Sequence, residues 1–206
     1  MNAVQADSSR AGYRRSAGSP RGEARRRELL ARVTEDLAAN GLVDFSLRRA
    51  ARAAGTTHKV LLYYFDGADD LLAQAIFQLR EQRVSKALAA VGAGLAGQSM
   101  ADRVRAVWPV LLGEEYLVLA QAVGLTIYDP ARYGGLGQTT YEQYMPALES
   151  ICPPQWPEHR KAEVAKMVMA ALQGFVIDSM ITGTRAGAEA GLEALARALD
   201  REEAAG

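Results

Sequence analysis

The sequence predicts an all-α protein in two parts: an N-terminal three-helix domain built on a helix-turn-helix, and a larger helical domain after it. Three observations lead there. Apolar residues recur at three- and four-residue spacing along the chain, and no run shows the period of two that a half-buried strand requires. The segment FSLRRAARAAGTTHKVLLYYFDGADDLL (45–72) places two capping residues and a glycine corner in close order. Charge is uneven: residues 1–60 hold 12 Lys+Arg and 6 Asp+Glu, a balance of +6, against 12 and 18 in the remainder, a balance of −6, within a net charge of zero. A basic start joined to an acidic remainder suits a nucleic-acid reader attached to a module that does not touch nucleic acid.

Taken in order, residues 1–21 read as a flexible, Arg-, Ser- and Gly-rich arm, disordered in solution. Its Arg10, Arg14, Arg15 and Arg21 suit a DNA backbone or minor groove. A helix over 22–40 follows, with Leu30, Val33 and Leu37 at helical spacing and Gly41 as its stop. Ser46 caps a second helix whose small positions are Ala50, Ala51 and Ala54. Gly55 supplies the left-handed corner. Thr56 or Thr57 caps a third helix that turns Val60, Leu61 and Phe65 inward. Small residues on the second helix let the third cross it closely, as in a helix-turn-helix whose second helix enters the major groove.

A fourth helix, about 68–91, starts with Asp69 and Asp70 at its positive end and connects the two parts. The predicted domains are thus 22–67 and 68–206. The glycines of 91–99 read as a helix end and joint. Beyond it, helices are expected over 102–112, weakened by Pro109, and over 114–128. The stretch DPARYGGLGQ (129–138) reads as a loop, and 139–151 as a short helix interrupted by Pro146. CPPQWP (152–157) is a second break. Two long helices, 158–184 and 186–203, close the chain.

With 206 residues and 49% hydrophobic composition, the chain can bury one or two cores. Its single cysteine, Cys152, excludes a disulfide within the chain and fits a reducing compartment. No run approaches the roughly 18 apolar residues of a membrane span, and the N-terminus has no signal-peptide core. The expected location is the cytoplasm, with no membrane partner. An enzymatic reading lacks support: Cys152 has no histidine near it in sequence, and no phosphate-cradling Gly-x-x-x-x-Gly-Lys-Ser/Thr occurs. His58 and His159 lie far apart without companion ligands, so neither a metal nor another cofactor is expected.

On Gly55, on Leu61, Tyr63 and Phe65 of LLYYF, and on Asp69, Asp70 and Leu71, residues 22–80 resemble the TetR family of one-component transcriptional repressors. Three positions depart from that pattern. Lys59 stands where glycine is common, Leu62 where the first tyrosine of a pair is common, and Ala68 where a phosphate-contacting lysine is common. The outward side of the third helix offers Thr56, Thr57, His58, Lys59, Tyr63 and Tyr64, which the resemblance makes the DNA-facing set. Lys59 suits a guanine edge or a phosphate, and the tyrosine hydroxyls suit phosphates. Of Arg48 and Arg49, Arg48 is expected on DNA and Arg49 in solvent; Arg25 represents the Arg25–Arg27 run as a phosphate contact.

One helix-turn-helix reads few base pairs, so a homodimer on a palindromic double-stranded operator is expected. Val168, Leu172, Phe175 and Ser179 form one stripe, and Leu192, Leu195 and Leu199 another. The resemblance implies a four-helix dimer bundle from these two helices of each subunit. Ala170, Ala171, Gly174 and Gly183 would permit close helix approach. The second domain is rich in aromatic and methionine side chains. Trp108, Tyr116, Tyr128, Tyr141, Tyr144, Met145 and Met167, with Gln121 and Gln173 as polar points, are the candidate effector contacts, although each alone also fits an ordinary core.

The expected effector is a moderately large, flat or apolar molecule without strong charge. Only Arg103, Arg105 and Arg132 stand as basic residues near the candidates. The predicted function is a ligand-responsive regulator, a repressor by resemblance, released from DNA when the effector moves the fourth helix. The alternative is a DNA-binding regulator without a small-molecule effector, controlled by a protein partner or by dimerisation.

Overall fold

Helices in this chain begin where a side chain replaces a missing backbone partner. A computed structural model describes residues 19–92 and 97–205, and among these every regular element is helical. α1 (Pro20–Asn40) starts at Ser19, whose hydroxyl accepts from the Gly22 amide at 3.1 Å. Pro20 follows at a position where a missing N–H costs nothing. Pro20 and Arg21, expected in the arm, therefore belong to α1. The rest of that arm, with Arg10, Arg14 and Arg15, lies outside the described residues.

α1 buries Leu29, Val33 and Leu37; Leu29 takes the inward place expected of Leu30, which is half-buried. Ser46 caps α2 (Leu47–Ala53), Gly55 turns the corner at φ +62°, and Thr57 caps α3 (His58–Tyr64). Ala50 and Ala54 are fully buried, as are Leu61 of α3 and, just past its end, Phe65 at 2% exposure. α4 (Ala68–Gly92) begins with Asp70 accepting from the Asp66 amide at 2.9 Å.

The chain divides into two compact units, Met1–Gln78 and Leu79–Gly206, and the division falls inside α4. Two arginines tie the first unit together. Arg49 Nε lies 2.8 Å from Asp36 of α1, and Arg49 Nη1 donates to the Val43 carbonyl at 2.6 Å. Arg26 stacks 5.0 Å over the Phe65 ring, donates to the Tyr64 carbonyl at 3.3 Å and hydrogen-bonds Gln74.

The second unit holds α5 (Met100–Leu111), α6 (Tyr116–Tyr128), α7 (Pro130–Ser150), α8 (Glu158–Thr182) and α9 (Ala186–Ala204). Of the joint expected over 91–99, residues 93–96 lie outside the described residues. Ser99 and Asp102 form a reciprocal capping box at the start of α5. The loop expected at 129–138 is instead the first half of α7. Asp129 caps it, accepting from the Arg132 amide at 3.1 Å, and Pro130 takes the tolerated first position. Its glycines serve packing: a Cβ on Gly137 would stand 2.7 Å from the Thr126 side chain of α6. Pro146 lies on the exposed side of α7 and does not end it.

α8 is long and apolar enough to cross a membrane by length and composition, but in this fold Val164, Val168, Leu172 and Val176 place one side of it in the second unit's core. Gly183 closes it at φ +68°. The close approach to α9 occurs at Gly191, where a Cβ would stand 2.5 Å from the Phe175 ring. Trp108 meets that ring edge-on at 6.3 Å. Gly174, expected to serve such an approach, has nothing within 4 Å of its Cβ position.

Candidate nucleic-acid interface and ligand cavity

α3 is two turns long, so one face sinks and the other stands out. Leu61 is fully buried, and Phe65 follows it inward just past the helix end. Thr57, His58, Lys59 and Leu62 are exposed, with Thr56, Tyr63 and Tyr64 half-buried beside them. Thr57 Oγ1 accepts from the Val60 amide at 3.4 Å, which leaves its hydroxyl proton to donate outward. The Tyr63 and Tyr64 rings meet edge-on at 4.7 Å, so each orients the other.

The supporting arginines separate into two kinds. Arg48, Arg27 and Arg52 are exposed. Arg25 pairs with Glu28 at 2.6 Å on the same helix. Both partners of that pair are substantially exposed; the Arg25 guanidinium holds the Glu28 carboxyl below its ordinary range. Arg49 does not face solvent as expected, because the Asp36 carboxylate holds it against α1. Leu62, noted in the sequence only as a departure, stands 49% exposed on the outward face. Its spacing of three residues from Lys59 carries that information in the sequence.

The second unit contains a cavity in which the centres of water-sized molecules can occupy about 120 Å³. Of the nine candidate contacts, Tyr116, Tyr144 and Gln173 are on its wall. Trp108 is instead buried in the core against Phe175. Tyr128, Tyr141 and Met167 are exposed at 87%, 51% and 43%, outside the lining. Gln121 and Met145 are half-buried, also outside it. A helix presents only one stripe to a cavity, and composition cannot tell which aromatic falls on that stripe.

The wall is mostly aliphatic, from Val84, Leu111, Leu119, Leu148, Met169 and Leu172 among others. It also carries two arginines the sequence reading passed over, Arg80 and Arg83, which are 2% and 7% exposed. They continue the buried stripe of α4 at helical spacing from Ile76, and that register was the available signal. Arg80 Nη1 donates to the Leu136 carbonyl at 2.8 Å and to Thr139 Oγ1 at 3.2 Å. Arg83 Nη2 donates to the Leu111 carbonyl at 3.1 Å. Burial lowers the pKa of Arg80 from its ordinary value, and burial raises that of Tyr144.

The three basic residues expected near the effector are engaged elsewhere. Arg103 donates to the Ile151 carbonyl, Arg105 grips Glu193 and Asp102, and Arg132 stacks on Tyr133. Cys152 is buried, and burial pushes its thiol up to about 11, which makes it a poor nucleophile.

Most of the residues expected at the dimer interface lie on the inner side of the second unit. Val168, Leu172, Leu192, Leu195 and Leu199 are core. Phe175 packs against that core, and Ser179 donates to the Phe175 carbonyl. The outward stripe of α8 is different: Met167, Ala170, Gly174, Ile177 and Ile181 are all exposed.

The geometry defines a helix-turn-helix protein with an all-helical second unit. No protein-family model matches the chain, and no curated protein matches it in sequence. Solved structures match its fold. A TetR-family transcriptional regulator from Cytophaga hutchinsonii is 17% identical with a TM-score of 0.65, over 85% of this chain and 92% of that one. A putative transcriptional regulator from Streptomyces coelicolor A3(2) is 23% identical with a TM-score of 0.63, over 85% and 98%. The multidrug binding protein EbrR, complexed with proflavin, is 20% identical with a TM-score of 0.60, over 84% and 98%. The fold of this chain is that of TetR-family transcriptional regulators.

Proposed function

We propose that the protein is a homodimeric, DNA-binding transcriptional regulator whose second unit binds a small effector that releases it from its operator. The observation that carries this reading is the exposed face of α3, with His58, Lys59 and Leu62 on a helix capped by Thr57. That face suits a major groove. Lys59 reaches a guanine edge or a phosphate, and Leu62 supplies the apolar contact that a thymine methyl accepts. The Thr57 hydroxyl and the tyrosines suit phosphates, and Arg48 and Arg27 add backbone contacts that position without reading sequence. Repression, rather than activation, rests on the family resemblance alone.

The dimer face in this reading is the outward stripe of α8. Met167, Ala170, Gly174, Ile177 and Ile181 follow one another at steps of three, four, three and four residues, the spacing of a helix seam that packs on another helix. The open space beside Gly174 lets a second copy of α8 approach closely. Ile181 is 79% exposed, a cost in water that a partner helix removes. Dimerisation would let two α3 helices read half-sites about one helical turn apart.

The cavity supports effector control over the alternative of a regulator without one, because its aliphatic wall with a few polar groups suits a small molecule. An effector changes operator affinity only by the difference between its own affinities for free and DNA-bound protein. α4, shared between the two units, is the element through which that difference would act. The test is fluorescence anisotropy with duplexes from the DNA flanking the protein's own gene, across a salt series, with random duplex as control. Selective binding at two proteins per site supports the reading. Binding equal to the random duplex at every salt concentration would remove it.

A further inference from the structure

The cavity's polarity goes beyond a general effector site. Its lining holds two arginines and, among the described residues, no carboxylate. Both arginines are more than nine-tenths buried. They lie one turn apart on α4 and repel each other. Arg80 is satisfied by a carbonyl and a hydroxyl, neither of which carries charge. The Arg83 side chain lies within hydrogen-bonding reach of Tyr144, and neither Arg83 Nε nor Tyr144 Oη, both buried, makes a hydrogen bond of good geometry among the described residues. The buried acid of the region, Glu115, is not on the wall; its Oε1 is held 3.0 Å from Lys86 Nζ. A buried cation without a counter-charge is costly, and the cost falls when an anion reaches it.

We propose that the effector is an apolar molecule with a single anionic head, a carboxylate being the simplest, whose oxygens meet Arg83 and Tyr144 while its tail lies along the aliphatic wall. Arg83 Nε and the Tyr144 hydroxyl are two donors ready for one acceptor group. Arg80 adds positive potential behind them. The tail would contact Leu111, Leu119, Leu148 and Met169. This chemistry reverses the uncharged effector that the sequence suggested. It rests on the reading of the cavity as the effector site.

The test is calorimetric titration of the full-length protein with three probes sharing one tail: octanoate, octan-1-ol and octylammonium. We expect octanoate to bind at least tenfold more tightly than octan-1-ol, and octylammonium to bind more weakly than either. Arg83→Met should collapse the octanoate-to-octanol ratio toward one. Arg83→Lys should keep part of it, because a point charge remains without the planar fork. Equal binding of octanoate and octan-1-ol would overturn the anionic head and leave the cavity reading standing. No binding by any probe would overturn both. The three-probe comparison on the unaltered protein decides even if a variant fails to fold.

Discussion

The two units treat buried arginines in opposite ways. In the first, Arg49 is matched by the Asp36 carboxylate, and Arg26 by Gln74, a carbonyl and an aromatic face. Both of these arginines are partnered, and the exposed polar side chains Thr57, His58 and Lys59 stand on α3 and its cap. In the second, Arg80 and Arg83 stand against an aliphatic wall with neutral acceptors only. The first unit is complete by itself and presents an outer surface; the second keeps an inner surface that an anion would complete. The proposed function requires that asymmetry, since one face would meet DNA while the other responds to a ligand.

The contrast can be broken at several points. Val168, fully buried on the inner side of α8, and Ile181, 79% exposed on its outer side and away from the cavity wall, should separate folding from association. Val168→Asp should unfold the second unit, at more than about 4 kcal/mol for a buried unpaired charge. Ile181→Asp should leave the helical circular dichroism unchanged and shift sedimentation from dimer to monomer at micromolar concentration. A persistent Ile181→Asp dimer would move the interface off this stripe.

Arginine removal compares the units directly. Arg49→Met strands a mostly buried Asp36 and should cost about 3 kcal/mol in a urea melt. Arg83→Met removes an unsatisfied Nε together with one hydrogen bond to the Leu111 carbonyl, and should cost the ligand-free protein less than Arg49→Met does. Equal losses in both variants would mean that Arg83 is as well satisfied as Arg49.

Gly191→Ala forces a Cβ to within 2.5 Å of Phe175 and should destabilise the second unit by about 1–3 kcal/mol in thermal melts, with little effect on the first. The smallest effect belongs to Arg27→Ala. If this exposed side chain makes the proposed phosphate contact, its removal should flatten the slope of log affinity against log salt by about 0.9, with sequence preference unchanged.

The same contrast explains what the sequence could tell. In the first unit, local chemistry settled the structure: Ser46, Gly55 and Thr57 each act within four residues, and all three do what their types imply. In the second unit, the decisive contacts are distant in sequence. The glycines at 134, 135 and 137 read as loop residues, yet Gly137 is a contact surface for Thr126. α8 is apolar on two sides, so periodicity alone does not tell the stripe that packs into the second unit's core from the stripe left exposed. Arg80 and Arg83 looked like ordinary charged residues until their position on the buried side of α4 was seen. Aromatic content points to the unit that holds the cavity, but only Tyr116 and Tyr144 of the candidate aromatics reach its wall.

The central claim is that a ligand in the second unit governs DNA binding by the first. The direct measurement adds octanoate to the preformed protein–operator complex while anisotropy is followed, with octylammonium at matched ionic strength as control. The account predicts that octanoate releases the DNA and octylammonium does not. It is contradicted if octanoate binds the protein, as calorimetry would establish, and operator affinity stays unchanged.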